Sequence, residues 1–101
     1  MCKTDIFNSV SNVVTSLTEV DYSTMCQSGI KTREVVDARY LLIYFLHVSA
    51  GFDIAYIARH LNMTPQGIRQ VLSQFDLRRK QSGKFFEILF QKIKNSIETE
   101  Q

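Results

Sequence analysis

Residues that interrupt helices are scarce in this chain, which has one proline, four glycines and no tryptophan among its 101 residues. Strict alternation of apolar and polar residues, which is typical of strands, is also rare. The two cysteines are too few for a disulfide scaffold and lack the spacing of a metal site. The composition therefore predicts an all-α protein without a bound metal, in a reducing cytoplasm.

Long apolar segments are absent as well. The longest unbroken apolar run extends from Tyr40 to Leu46, far short of the ~20 residues that a membrane-spanning helix needs. The N-terminal residues lack the apolar stretch of a signal peptide. Hydrophobic residues make up 45% of the chain and charged residues 22%, as in ordinary globular proteins. We therefore expect one cytoplasmic domain over residues 1–101, with no membrane partner.

Groups that perform catalysis are also missing. No pair of carboxylates, no nucleophile beside a base and no phosphate-binding glycine loop can be identified in the sequence. His47 lies in an apolar stretch, where a structural histidine is the ordinary interpretation. His60 follows Arg59 on a more polar stretch and contacts either phosphate or only water. The sequence predicts neither an enzyme nor a bound cofactor.

Apolar residues recur at intervals of three and four along most of the chain, which predicts amphipathic helices. The expected fold is a compact bundle of five to six helices over residues 5–18, 23–27, 33–49, 53–61, 65–76 and 83–97. The third helix is apolar nearly all round, so we expect it at the centre of the bundle. Its polar residues Glu34, Asp37 and Arg39 are expected to face solvent. Thr4 or Asp5 is expected to cap the first helix.

Two of these helices lie in residues 51–75, around which the rest of the chain is organised. Asp53 stands before the first of them as a capping residue. Asn62 follows its last apolar residue, and asparagine tolerates the left-handed conformation in which helices end. Thr64 and Pro65 then fit the N-cap and the first position of the second helix. The apolar faces consist of Ile54, Ile57, Ala58 and Leu61 in the first helix, and of Ile68, Val71, Leu72 and Phe75 in the second.

Two short helices joined by a tight turn form a helix-turn-helix, whose second helix enters the DNA major groove. Here the second helix turns polar residues outward, including Gln66, Arg69 and Gln70. Glutamine can pair with adenine, and arginine with O6 and N7 of guanine. The following basic stretch, Arg78-Arg79-Lys80, is expected to add affinity for phosphates that is independent of base sequence. A helical hairpin that only packs has the same apolar spacing, but the residues of the turn favour double-stranded DNA as the partner.

The net charge of +2 is unevenly distributed along the chain. Between Arg59 and Lys94, eight basic residues stand against two acidic ones, a local net charge of +6. Residues 1–58 contain four basic and six acidic side chains, a net charge of −2. The positive charge is therefore concentrated in the second helix of the helix-turn-helix and in the residues after it, as expected beside nucleic acid.

A basic loop precedes the apolar third helix and the helix-turn-helix. The residues in this order are Lys31-x-Arg33-Glu34-Val35-Val36, then Ala38-Arg39, the long apolar helix, Gly51, Ile54, Ile57, Leu61, the turn and Ile68. With this order of features, residues 10–97 resemble the C-terminal DNA-binding domain of the bacterial chromosomal replication initiator, DnaA. The tryptophan repressor has a similar arrangement. The turn is equally similar to that of sigma factors and of response-regulator output domains.

This chain lacks the base-reading signature of the initiators, Arg-Asp-His-Thr-Thr-Val. The matching residues here are Met63-Thr64-Pro65-Gln66-Gly67-Ile68. The initiators' nucleotide-binding motor domain is also missing, so the resemblance implies neither their activity nor their DNA site. It implies phosphate and minor-groove contacts for Lys31 and Arg33, and base contacts for Thr64, Gln66 and Gly67. The predicted function is that of a small DNA-binding regulator of transcription or replication.

A protein-interaction module that keeps this fold without binding DNA is the open alternative. The missing base-reading signature and the low net charge both favour it. Tyr40, Tyr44 and the phenylalanine-rich last helix are more than a small core needs. The surplus would leave an apolar surface for a second copy of the chain or for another protein.

Overall fold

The computed structural model describes residues 2–27, 29 and 31–99, which form six α-helices and no strand. In chain order the helices are α1 (Lys3–Thr18), α2 (Tyr22–Met25), α3 (Arg33–Tyr44), α4 (Ile54–Leu61), α5 (Pro65–Gln81) and α6 (Gly83–Thr99). The predicted all-α bundle of five to six helices is therefore confirmed. None of the helices in these ranges combines the length and the apolar composition that crossing a bilayer requires.

The centre of the bundle is α3, against which α1, α2 and α5 pack. Leu41, Leu42 and Ile43 are completely buried. Because three successive residues point in different directions around a helix, α3 is surrounded by other parts of the protein at this level. Burial of each such side chain contributes roughly 1.5–3 kcal/mol. The last helix, α6, packs against α1 and α5 and buries Phe86 and Ile93. The central position of α3 is the one predicted from its apolar sequence.

The third helix continues as a π-helical segment, Phe45–Ser49, so helical structure reaches the predicted residue 49. The backbone N–H of Phe52 donates to the carbonyl of Leu46 at 2.9 Å. Gly51 has a φ of +79°, which glycine adopts without the steric cost of a side chain. His47 Nδ1 lies 2.8 Å from the carbonyl oxygen of Phe52. These residues form the turn that connects the helical segment ending at Ser49 to α4, and His47 has a structural partner in this turn.

The expectation that Asp37 faces solvent is wrong. This residue is only 6% exposed, although Glu34 near the start of the same helix is exposed. Arg78 Nε donates to Asp37 Oδ1 at 2.7 Å, so a cation from α5 compensates the buried carboxylate. Arg39, also expected in solvent, is half-buried and donates to the carbonyl of Met25 at 2.8 Å. Both residues therefore connect α3 to neighbouring segments.

The expected cap of the first helix is also wrong. The helix begins before both candidate residues, with Cys2 at the N-cap and no capping hydrogen bond from its side chain. Thr4 and Asp5 consequently lie inside the first turn. There the carboxylate of Asp5 interacts favourably with the positive end of the helix dipole.

The fifth helix is longer than the predicted 65–76. It continues to Gln81 and ends at Ser82, followed by Gly83 with a φ of +78°. The added residues include Arg78 and Arg79, which form ion pairs with α3 and α6. These ion pairs hold the helix beyond its last buried apolar residue, Phe75.

Candidate nucleic-acid interface

The turn between α4 and α5 has the local geometry that the sequence predicts. Asn62 has a φ of +57°, and its neighbour Met63 donates its backbone N–H to the carbonyl of Ala58 at 2.9 Å. An Asp53 side-chain oxygen accepts the N–H of Tyr56 at 2.7 Å at the start of α4. The capping role of Asp53 and the left-handed conformation of Asn62 are confirmed.

The start of α5 is fixed against this turn. Thr64 Oγ1 accepts the backbone N–H of Gly67 at 3.0 Å, and Pro65 takes the first turn of the helix, as predicted. A Cβ atom added to Gly67 would lie 3.3 Å from Thr64 Oγ1 and 3.4 Å from Met63 Cε. Thr64 and Gly67 therefore have a structural role, in which the small residue lets the turn and the helix approach each other.

Apolar contacts hold α4 and α5 together on their inner sides. Ile57, Ala58 and Leu61 are buried on α4, and they oppose an inner side of α5 formed by Ile68, Val71 and Phe75. Because Ala58 is small and only 3% exposed, the second helix can lie close to the first. The orientation of α5 is thereby determined, and its opposite side faces outward.

Three long polar side chains project from the first turns of α5. Gln66, Arg69 and Gln70 are all exposed and follow one another at the i, i+3 and i+4 spacing of a single helix face. Within the described part of the chain, none of these side chains has a hydrogen bond or an ion pair. We call these three residues the polar face of α5. The structure brings them together on a rigid helix, with their hydrogen-bonding ends available.

The basic residues near the end of α5 are in a different situation. Arg79 Nε and Nη2 donate to the two carboxylate oxygens of Glu87 at 2.6 and 2.7 Å, and the guanidinium carbon lies 4.0 Å from the ring centroid of Phe90. These hydrogen bonds lower the pKa of Glu87 to about 2 and raise the pKa of Arg79. Together with Arg78, bound to Asp37, we call this the paired end of α5.

Lys80 completes the predicted basic stretch and differs from its neighbours. Its side chain is exposed and has no ion pair among the described residues. Lys31 is likewise exposed in the loop before α3. The structure therefore divides the predicted phosphate-contacting residues into two free lysines and a group of arginines with internal partners.

Arg33 belongs to the second group. Its Nη2 donates to the carbonyl of Ser82 at 2.7 Å, and its Nε lies 3.9 Å from Asp37 Oδ2. The start of α3 is thus attached to the junction of α5 and α6. Arg78 follows Gln66 by twelve positions, or roughly 18 Å along a helix that rises about 1.5 Å per residue. The site residues predicted on α5 therefore lie in two places along this helix, and Arg33 lies at the start of α3.

Asp37 is the residue of this region that sequence reasoning missed. Its carboxylate accepts a hydrogen bond from Arg78 of α5 and lies near Arg33 on its own helix. The spacing of Arg33 and Asp37, four residues apart on one helix, is the usual spacing of a helical ion pair and was the available signal. The partner on α5 lies 41 residues away in sequence and left no such signal.

The end of α4 is held by α2. Tyr22 donates its hydroxyl to the carbonyl of His60 at 2.6 Å, and Cys26 Sγ lies 3.9 Å from the same oxygen. Burial raises the pKa of the Tyr22 phenol and the pKa of the Cys26 thiol. His60 Nδ1 lies 2.9 Å from the carbonyl of Tyr56. These contacts fix the C-terminal end of α4, where the turn to α5 begins.

No cluster of three or more metal-binding side chains occurs among residues 2–27, 29 and 31–99. Comparison of the chain with known protein families, curated proteins and solved structures gave no match. The resemblance to the replication initiators therefore rests on the sequence features alone.

Proposed function

We propose that this chain is a DNA-binding helix-turn-helix protein of the cytoplasm, and that the start of α5 occupies the major groove. The observation that carries this proposal is the polar face of α5. Its long polar side chains have no partners among the described residues, and the opposite side of the helix is packed against α4. Such side chains can form hydrogen bonds with the edges of bases. We propose a regulatory role in transcription or replication.

The three side chains of the polar face suit different bases. Gln66 and Gln70 each have an amide that can pair with adenine, and Arg69 can donate two hydrogen bonds to guanine. Because these side chains have no hydrogen bond or ion pair with the described residues, contact with bases would break no such bond of the folded protein. Binding energy is then available for discrimination between sequences.

Phosphate contacts come first from Lys31 and Lys80, which are exposed and unpaired among the described residues. Arg78 uses Nε for Asp37, and Arg79 uses Nε and Nη2 for Glu87. Each arginine retains N–H groups that could reach a phosphate without breaking these bonds. The paired end therefore serves mainly to orient α5, and adds a smaller share of the affinity.

The test is a selection of preferred sites from random double-stranded DNA, followed by binding to selected and random duplexes over a series of salt concentrations. We expect a preferred site and an affinity that falls with salt. Lys31→Ala and Lys80→Ala should each reduce the salt slope by about 0.9 on both duplexes. Glu98→Ala, a change outside the basic region, is the control. Absence of binding at low salt would overturn the proposal.

The second candidate, a protein-interaction module, is favoured by a different observation. Phe85 is 68% exposed and Leu77 is 56% exposed, although both are large and apolar. The tyrosines suspected from the sequence do not provide this surface. Tyr40 donates to Gln74 Oε1 at 3.2 Å, and Tyr44 stacks on Phe75 with ring centroids 4.2 Å apart.

Sedimentation of the protein over a range of concentrations tests this second candidate. If a second copy covers the exposed residues, the protein dimerises and Phe85→Ser restores the monomer. A monomer at all concentrations that binds DNA would exclude self-association as the main function. A dimer that fails to bind DNA at low salt would favour the interaction module.

A further inference from the structure

A cavity of about 520 Å³ lies between α1, the start of α2 and α4, away from the polar face of α5. This volume is in the range of sites for small molecules. One wall is a stripe of short polar side chains on α1: Thr4, Asn8, Ser11, Asn12 and Thr15. The lining also includes the rings of Phe7, which is on α1 as well, and of Tyr22, Tyr56 and His60, which we call the aromatic wall. Polar groups and aromatic rings thus line the same cavity.

The hydroxyl of Ser11 is unsatisfied. Ser11 is 6% exposed, and its Oγ is buried with no hydrogen-bond partner among the described residues. Buried hydroxyls nearly always have a partner, because leaving one without a hydrogen bond costs free energy. Ser11 lines the cavity, but its Oγ is covered by protein atoms. A rotation about χ1 that turns this hydroxyl toward the cavity would let a polar atom of a bound molecule supply the missing partner.

Two amides stand on the same wall. Asn8 and Asn12 are exposed, one helical turn apart, and their side chains have no hydrogen bond within the described part of the chain. Each amide offers both a donor and an acceptor. The hydroxyl of Thr15 is already used, since it donates to the backbone carbonyl of Asn12 at 3.1 Å. The free groups therefore suit a ligand edge that carries a donor and an acceptor side by side.

The aromatic wall is rigid and favours a flat ligand. The rings of Tyr56 and His60 are stacked, with centroids 4.1 Å apart and planes at 21°. Phe7 meets Tyr56 edge to face at 5.8 Å. Tyr56 is also stacked on Phe52, with centroids 5.0 Å apart. Because the rings hold one another in place and the faces of Tyr56 are already used, a planar ligand is expected to pack its face against ring edges.

The charges around the cavity limit the ligand further. Asp21 is a carboxylate on its wall, and no lysine or arginine is among the described residues that line it. Two cations lie beside its rings: Lys3 Nζ is 4.2 Å and the guanidinium carbon of Arg59 is 5.8 Å from the ring centroid of Tyr56. Both already contact that ring, and a phosphate would meet Asp21 with no cation among the described lining residues, so the site disfavours anions.

We propose that this cavity binds a small uncharged planar heterocycle with adjacent hydrogen-bond donors and acceptors, of the nucleobase or nucleoside kind. The amides of Asn8 and Asn12 contact its edge, the Ser11 hydroxyl, once turned toward the cavity, forms one hydrogen bond, and ring edges of the aromatic wall contact its face. The proposal does not depend on DNA binding, although Tyr56 and His60 belong to α4 of the helix-turn-helix.

The test is a titration of the labelled protein followed by NMR, with adenosine, uridine, adenosine monophosphate and uridine monophosphate as probes. We expect at least one nucleoside to shift the side-chain amide signals of Asn8 and Asn12 saturably. The corresponding nucleotide should bind about tenfold more weakly, because of its charge.

Two variants establish the site. Asn12→Ala should weaken the binding of that nucleoside about fivefold, the value of one ordinary hydrogen bond. Ser16→Ala, on an exposed residue of the same helix that does not line the cavity, should leave it unchanged. Asn8→Ala is a second variant, and both asparagines are exposed, so the fold should survive.

Three results would overturn the proposal. The first is that neither nucleoside shifts the signals of the lining residues at millimolar concentration, which would leave the cavity to water. The second is that the nucleotides bind as tightly as the nucleosides. The third is that Asn12→Ala and Ser16→Ala have the same affinity as the unchanged protein.

Discussion

The two ends of α5 differ in how their polar side chains are used. At its start, Gln66, Arg69 and Gln70 are exposed and have no side-chain partner among the described residues. At its end, Arg78 and Arg79 are held by carboxylates of α3 and α6. One end of the helix is thus attached to the bundle, and the other presents unused hydrogen-bonding groups on a fixed backbone.

This difference shows that a basic stretch in the sequence need not form a free basic surface. The densest basic stretch of the chain, residues 78–80, contains two arginines that form ion pairs within the protein. Ordinary surface ion pairs contribute little to stability, but the Arg78–Asp37 pair is partly buried and the Arg79–Glu87 pair is bidentate. The polar face carries only one charge and is the better candidate for sequence recognition.

The largest expected effect is on stability at the paired end. Asp37→Ala removes the carboxylate that holds Arg78 and lies near Arg33, and should lower the free energy of unfolding by about 2–3 kcal/mol. Urea unfolding measures this change. Asp76→Ala, at an exposed aspartate of α5, is the matched control and should change it by less than about 0.5 kcal/mol. Equal effects of the two substitutions would remove the distinction between paired and free residues.

The next effect concerns the turn that orients the free end. Asn62 has a positive φ, so Asn62→Val should lower stability by roughly 1–2 kcal/mol, because a β-branched residue is strained there. Asn62→Gly should be neutral or stabilising, because glycine adopts this conformation readily. Thermal melts of the two variants decide. Identical melting temperatures would mean that the turn does not have this conformation in solution.

The smallest effect is the pH dependence of the Arg79–Glu87 pair. The pKa of Glu87 is lowered from 4.5 to about 2 in the folded protein, so its stabilising contribution is complete above pH 4.5 and is lost as the pH falls through about 2. Glu87→Gln should therefore have a lower melting temperature than the unchanged protein at neutral pH, and the gap should close in acid. A gap that stays constant from neutral to acidic pH would refute the lowered pKa.

Local structure around the turn between α4 and α5 was predictable from the sequence, although the cap predicted for α1 was wrong. The cap at Asp53, the left-handed Asn62 and the Thr64-Pro65 helix start depend on backbone geometry within a few residues, and all three agree with the sequence interpretation. The burial of α3 followed from its apolar circumference. These features required no knowledge of which segments pack against each other.

Contacts between distant segments were not predictable in this way. Whether Asp37 is buried depends on Arg78, which α5 brings to it across 41 residues. The role of Arg79 depends on Glu87, beyond the break between α5 and α6. The cavity beside Ser11 needs three segments to be assembled before its walls meet. A sequence pattern gives the face of each helix, but not which charged group will find a partner there.

The most direct test of the account compares specific with random DNA binding in Arg69→Ala and Gln66→Ala. Each substitution should reduce the preference for the selected site by roughly 1–3 kcal/mol, while thermal stability and binding to random DNA change little. Gln81→Ala, an exposed glutamine at the last position of the same helix, should keep the full preference. A preference that survives both substitutions at the polar face would contradict the claim that this face reads the bases.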